Sequence, residues 1–295
     1  MSRILIGGAS GLIGSALVPA CASGGNEVVR LVRRVPNGAN ELAWDPMRAI
    51  APKLVSGFDA VIHLSGESVA GRWTAVKKRR IRDSRVVSTE NLARALALAE
   101  MKPSVFVCAS AIGYYGDRGD EVLTEPSPPG EGFLPAVCHE WETATHAASA
   151  AKIRVVNLRI GIVLSREGGA LDQMRLPFRL GLGGRIGSGR QWWSWIHIAD
   201  LVAAVDLILE NRELVGAVNL VSPNPVSNAE FARTLAHILR RPAIFPVPEL
   251  AARFAFPGFA KEGLLASARV FPEQLSQAGF QFRYPVLEMA LKNLL

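Results

Sequence analysis

The chain has 295 residues, enough to bury a substantial core in one large domain or two modest ones. Hydrophobic residues make up 49% and charged residues 20%, which excludes a disordered or fibrous chain. Lys and Arg number 33 against 26 Asp and Glu, and the excess is local, at Arg30, Arg33 and Arg34 and in KKRRIRDSR (77–85).

Basic residues beside a phosphate-binding turn point to a phosphorylated small molecule. Nucleic acid would need a diffuse basic surface and a steep salt dependence, and is not expected as a partner. Cys21, Cys108 and Cys138 are widely spaced and form no C-x-x-C, so neither a disulfide framework nor a metal site is expected, and a reducing compartment is. The first residues carry no basic leader, and no apolar run reaches the ~20 residues of a membrane span. The expectation is a cytoplasmic protein with no membrane partner.

In chain order, RILI (3–6) is a buried strand, followed by a helix through about Cys21. EVVRLV (27–32), the shorter ELAWD (41–45) and AVIHLS (60–65) are the next three strands. An amphipathic helix runs from about Ala75 to Glu100, with Leu92, Ala95, Leu96 and Ala99 on one stripe. SVFVCAS (104–110), a helix over about Ala136 to Ala151, and RVVNLRI (154–160) continue the alternation. Strands alternating with helices pair in parallel through right-handed crossovers, which gives an α/β fold with a doubly wound sheet.

After Leu164 the rhythm changes. GLGGRIGSGRQWWSWIHIADL (181–201) is rich in glycine and tryptophan, then a helix leads to the strand AVNLVS (217–222). Short helices are expected over about 228–239, 249–256 and 272–278. The expected division is a nucleotide-binding domain over 1–164, to which 198–222 returns, and a smaller C-terminal α/β lobe over 165–295.

Between the first strand and its helix lies GGASGLIG (7–14), with Gly8, Gly11 and Gly14 at even spacing. One glycine permits the tight turn, a second lets backbone approach a pyrophosphate, and a third lets helix pack on strand. The helix N-terminus then offers free N–H groups to the anion. No Lys-Ser/Thr follows, so the turn is not a nucleoside triphosphatase loop. At the end of the second strand an NAD site usually carries an acid for the ribose hydroxyl. Here the sequence reads LVRR, which puts Arg33 and Arg34 where a 2′-phosphate would sit. NADP is therefore favoured over NAD.

These features, with LSGE (64–67) and SAIGYYGD (110–117), resemble the extended short-chain dehydrogenase/reductase superfamily. RWT…SR (72–85), PFRLGLGGRIGSGRQ (177–191), WIHIADL (195–201) and SPNPVSNAEFA (222–232) resemble its epimerase/dehydratase-like branch, the epimerase family of SDR39U type. The resemblance implies a Rossmann NADP-binding domain, a C-terminal lobe over the cleft with a family-specific part at about 245–295, and a small-molecule substrate it does not define. Residue by residue, it implies cofactor contacts from Gly8, Ser10, Gly11, Leu12, Ile13, Gly14, Val32, Arg33 and Arg34. It implies further contacts from Leu64, Ser65, Gly66 and Glu67, from Arg85 on the long helix, and from Leu164 at the nicotinamide end.

The superfamily moves a proton with a Tyr-x-x-x-Lys pair, the lysine lowering the pKa of the tyrosine. That pair is missing: none of the three tyrosines has a lysine four residues on, and Phe133 and Val137 stand at the matching positions. The usual serine aligns near Ala111. Ser110, Tyr114 and Tyr115, on the edge after the fifth strand, are the substitute candidates, with GYYGD read as a turn exposing aromatic polar tips. Glu67 is a candidate acid or base. His197 and the Trp192, Trp193, Trp195 cluster read as core, and KKRR as a solvated helix face. Two functions stay open: an NADP-dependent oxidoreductase or epimerase, and a non-catalytic NADP(H)-binding sensor.

Overall fold

The computed structural model describes residues 1–243 and 245–295. Seven parallel strands form its central sheet: β1 (Arg3–Gly7), β2 (Glu27–Val32), β3 (Glu41–Ala43), β4 (Ala60–His63), β5 (Val105–Ala111), β7 (Arg154–Ile160) and β11 (Gly216–Leu220). Their order is β11-β7-β5-β4-β1-β2-β3, a doubly wound Rossmann arrangement whose order reverses between β1 and β4.

The strands read as apolar runs because both faces are covered. Along β1, Ile4 and Ile6 enter one core with Leu17 of α1 (Leu12–Ser23) and Leu201 and Ile208 of α6 (Ile198–Glu210). Leu5 points the other way, into a core with Leu92 and Leu96 of α2 (Ala75–Ala97) and Trp141 of α3 (Phe133–Thr143). The helix expected over 136–151 is two: α3 ends at Thr143, and α4 (His146–Ala150) follows a turn at Ala144 and Thr145.

A third core belongs to the C-terminal lobe, where short strands replace a second large sheet. β8 (Ile162–Ser165) pairs with β10 (Trp195–His197), β9 (Trp192–Trp193) with β12 (Val226–Ser227), and β13 (Arg269–Val270) with β6 (Val122–Leu123). Helices α5 (Gly169–Arg179), α7 (Asn228–Leu239), α8 (Glu249–Ala255) and α10 (Leu287–Leu294) complete the lobe, whereas α9 (Glu273–Gln277) packs Leu275 into the first core beside β11. Trp193 and Trp195 are buried beside Phe231, Leu235 and Leu291, whereas Trp192, read with them as core, is only half-buried and donates its Nε1–H to Asp120 at 2.8 Å. The three cysteines are buried and free. Among the described residues, no helix is long and apolar enough to cross a membrane.

Candidate functional site

The carboxyl ends of the parallel strands carry the candidate site, and the glycine turn sits at the point where the strand order reverses. Gly8 has φ +79°, and a Cβ there would lie 2.7 Å from the Leu64 carbonyl carbon, so only glycine lets the turn rest on the β4 exit. Gly11 closes the turn by donating its N–H to the Gly8 carbonyl at 3.1 Å. Gly14 is the packing glycine: a Cβ there would lie 2.6 Å from the Ala9 Cα.

Gly11 differs. A Cβ on it would meet only the Gly8 carbonyl, at 3.4 Å, so the cradle in front of it is open. Among the described residues no side chain caps α1, its first turn has no acid, and the first carbonyl hydrogen bond there runs from Ser15 to Gly11. The N–H groups of Leu12, Ile13 and Gly14 are left for an outside acceptor. An open cradle before an uncapped, unneutralised helix end fits a pyrophosphate.

At the end of β2 the two arginines part ways. Buried Glu41 takes both Nη atoms of Arg34, at 2.8 and 2.7 Å, and pairs with Arg30 at 2.9 Å. The Arg34 hydrogen bond, with the other charges there, holds the Glu41 carboxyl below its usual range. Arg34 is thus a structural clamp rather than the free cation expected from the sequence. Arg33 is exposed and makes no ion pair among the described residues.

Beyond β4, Leu64 and Ser65 face the turn, and Gly66 lies against the Arg85 guanidinium, with a Cβ position 3.3 Å from its Cζ. Arg85 donates to the carbonyls of Glu67 and Ile81, at 2.9 and 3.0 Å, and lies 5.1 Å over the Trp141 ring. It braces the β4 exit from behind. Glu67 is no acid: Lys77 at 2.7 Å and Arg80 at 3.3 Å pair with it, and the Lys77 hydrogen bond keeps its carboxyl below the usual range. The KKRR run is correspondingly only partly solvated, with Lys77 and Lys78 half-buried.

The substitute catalytic candidates are largely tied into the fold. Ser110 donates to Glu142 Oε1 at 2.7 Å, and Arg159, beside Ser110 on β7, grips both Glu142 oxygens at 2.9 Å. Burial works against the Arg159 charge, but Glu142 outweighs it and holds the guanidinium above its ordinary value. Tyr115 is fully buried: it accepts from Arg159 at 3.0 Å and donates to Asn219 Oδ1 at 2.7 Å, and burial pushes its phenol up to about 12. Tyr114 is also buried, packed edge-on against Tyr115 and under Arg159, whose Cζ lies 3.5 Å from its ring centroid. GYYGD therefore does not expose two tyrosine tips, because both rings pack against the sequestered Arg159 guanidinium. Only the Tyr114 hydroxyl is neither bonded within the described residues nor sealed from solvent.

Leu164 does not line the cleft with its side chain. It is fully buried in the third core, pairing with His197 across β8 and β10. His197 is structural: its Nδ1 accepts from the Ala199 N–H at 3.0 Å and caps α6, its Nε2 meets Asn293, and Tyr284 stacks on it at 3.9 Å.

A further group went unread in the sequence. Phe133 opens α3 with its ring 5.1 Å from Trp73, Phe259 lies 6.1 Å from Trp73, and the Lys78 ammonium sits 4.9 Å from the Phe133 centroid. Glu262, in a π-helical turn (Ala260–Leu264), accepts from the Leu134 N–H at 2.7 Å and caps α3. Residues 259–262 thus close over the amino end of α3. No spacing rule links residues 73, 133 and 259. A cavity of about 850 Å³ lies elsewhere, at the amino end of β11.

Comparison with known proteins meets this geometry. The family model described as "NAD dependent epimerase/dehydratase family" matches residues 4–220. The chain belongs to that family. A model described as "Domain of unknown function (DUF1731)" matches residues 247–294. An epimerase family protein of Mycobacterium bovis is 43% identical over 290 residues, covering 98% of this chain and 96% of that one. The crystal structure of the human epimerase family protein SDR39U1 with NADPH is 34% identical, with a TM-score of 0.91 over 99% of this chain and 98% of that one. A nucleoside-diphosphate sugar epimerase from Corynebacterium glutamicum is 37% identical with a TM-score of 0.83, over 99% of this chain and 58% of that one.

Proposed function

We propose that the protein binds NADP(H) at the glycine turn and uses it on a small molecule held under the C-terminal lobe, as an epimerase-like oxidoreductase. The observation that carries the reading is the open Gly11 cradle before the uncapped α1, with unpaired Arg33 at the end of β2. Full-length similarity to a human relative crystallised with NADPH supports it. Gly8 and Gly14 shape the turn. The backbone of Ser10 to Gly14 holds the pyrophosphate, and Val32 and Arg33 hold the 2′-phosphate. Leu64 to Glu67, braced by Arg85, form the ribose side, with the Leu164 backbone near the far end.

When bound, the cofactor supplies or accepts a hydride. The chain's own part is positioning and exclusion of water, and Tyr114 is the hydroxyl left to handle a proton at the substrate oxygen. Ser110 and Tyr115 hold Arg159 and Glu142 instead. Their engagement favours a second reading, in which the protein binds NADP(H) without turnover and acts as a sensor.

Titrating the purified protein with NADPH and NADH, following tryptophan fluorescence, tests the cofactor assignment. Tighter binding of NADPH is expected, and binding of neither nucleotide at millimolar concentration overturns it. Transfer of deuterium from C4-labelled NADPH into a metabolite mixture separates the enzyme from the sensor.

A further inference from the structure

Two segments of the C-terminal lobe lie side by side: the end of α5 with the chain after it, and the approach to α8. Arg241 Nε donates to the Arg179 carbonyl at 2.9 Å, Val247 N–H to the Arg185 carbonyl at 2.8 Å, and Gly187 N–H to the Val247 carbonyl at 2.9 Å. On these segments Leu176, Leu180, Leu182 and Phe245 are each more than half exposed, and α8 presents Leu250 at 81% and Phe254 at 89%. Single exposed apolar residues need no explanation, but six on two adjoining segments do.

The charge around them is mainly basic, although Asp172 on α5 pairs with Arg175 at 3.6 Å. Residues 173–190 hold four arginines and residues 231–248 hold three, and neither stretch has an Asp or Glu. On α8 itself, Glu249 and Arg253 pair and cancel.

This combination selects among occupants. A second copy would set like charge against like. Single-stranded nucleic acid needs flat rings to stack its bases, and four of the six side chains are leucines. A helical peptide needs a groove, whereas Leu250 and Phe254 project. An anionic bilayer surface suits both features: apolar tips enter the boundary between headgroups and acyl chains, and arginines meet lipid phosphates.

We propose that the face formed by the end of α5, residues 180–185 and α8 docks the protein peripherally on anionic lipid. Such a face lies on the bilayer rather than across it, so the absence of a spanning helix among the described residues does not bear on it. The proposal goes beyond the expectation of no membrane partner, with which the lack of a spanning helix among the described residues is consistent. The proposal is independent of the cofactor assignment.

Co-sedimentation of the full chain with vesicles tests it, using phosphatidylcholine alone against an equal mixture with phosphatidylglycerol. Partitioning is expected to be about tenfold stronger on the anionic vesicles and to be lost in high salt. The double variants Leu250→Ser with Phe254→Ser, and Arg179→Glu with Arg240→Glu, should each lose about tenfold, from apolar contact and from charge respectively. Unchanged circular dichroism and thermal midpoint identify a folded variant, and either folded variant suffices. Three outcomes overturn the proposal: no pelleting with either vesicle, equal pelleting with both, or wild-type pelleting by a folded double variant. So does a dimer in vesicle-free buffer that Leu250→Ser with Phe254→Ser dissolves.

Discussion

Ser110 and Glu142 are joined by a 2.7 Å hydrogen bond, strand to helix, and the Arg159 fork fixes the same carboxylate from the next strand. The Arg159 and Glu142 side chains are only 5% and 13% exposed. Removing the cation leaves a sequestered carboxylate unpaired, so Arg159→Ala should cost about 3–5 kcal/mol in urea unfolding. Ser110→Ala deletes one hydrogen bond to a charged group and should cost about 1.5–3 kcal/mol, leaving nucleotide affinity unchanged. A Ser110→Ala variant of undiminished stability that no longer bound NADPH would return Ser110 to the cofactor site.

Arg33 and Arg34 are adjacent and do different work. Arg33→Asp should weaken NADPH by roughly 10- to 100-fold, the scale of one or two charge-assisted hydrogen bonds, and NADH far less. Arg34→Asp instead sets a carboxylate against buried Glu41 and should lower the thermal midpoint. Fluorescence titration of both variants with both nucleotides checks this, and equal losses for NADPH and NADH in Arg33→Asp count against the 2′-phosphate assignment.

The elements that could be read in the sequence are those whose signal is local. β2, β7 and α7 run over the residues expected, because an apolar run between turn residues and a 3.6-residue stripe are each complete within one segment. The glycine turn was legible for the same reason: strand, turn and helix are contiguous. What misled was polarity without its partners. Tyr115 looks exposed after GY until Arg159, 44 residues on, and Asn219, 104 residues on, supply its hydrogen bonds. Glu67 reads as a free carboxylate until α2 brings back Lys77, and Arg34 as a free cation until Glu41 folds over it. A buried polar group is satisfied by whatever the topology delivers, and sequence spacing does not encode that.

The glycines separate fold from function. Gly14→Ala forces a Cβ into the Ala9 backbone and should destabilise the protein whether or not nucleotide is present. Gly11→Val fills only the open cradle, so its urea midpoint should stay near wild type while NADPH binding disappears. Measuring both variants by unfolding and by titration checks the pair. A Gly11→Val protein that binds NADPH normally makes the turn purely structural.

His63 ends β4 just behind that turn, fully buried, with Nε2 3.1 Å from Ser88 Oγ and Nδ1 without a partner among the described residues. Burial pulls its pKa down to about 4, while an unfolded histidine titrates near 6.5. Between those values the unfolded chain takes up a proton that the folded chain refuses, so stability is held above pH 6.5 and lost as pH falls toward 4. The loss attributable to this group is about 3 kcal/mol. His63→Gln keeps a polar group beside Ser88 but cannot titrate, so its stability should fall less over the same window. Urea unfolding at pH 7 and pH 4.5 compares the two. Parallel losses in both proteins would mean that the carboxylates, not His63, set the acid limit of this fold.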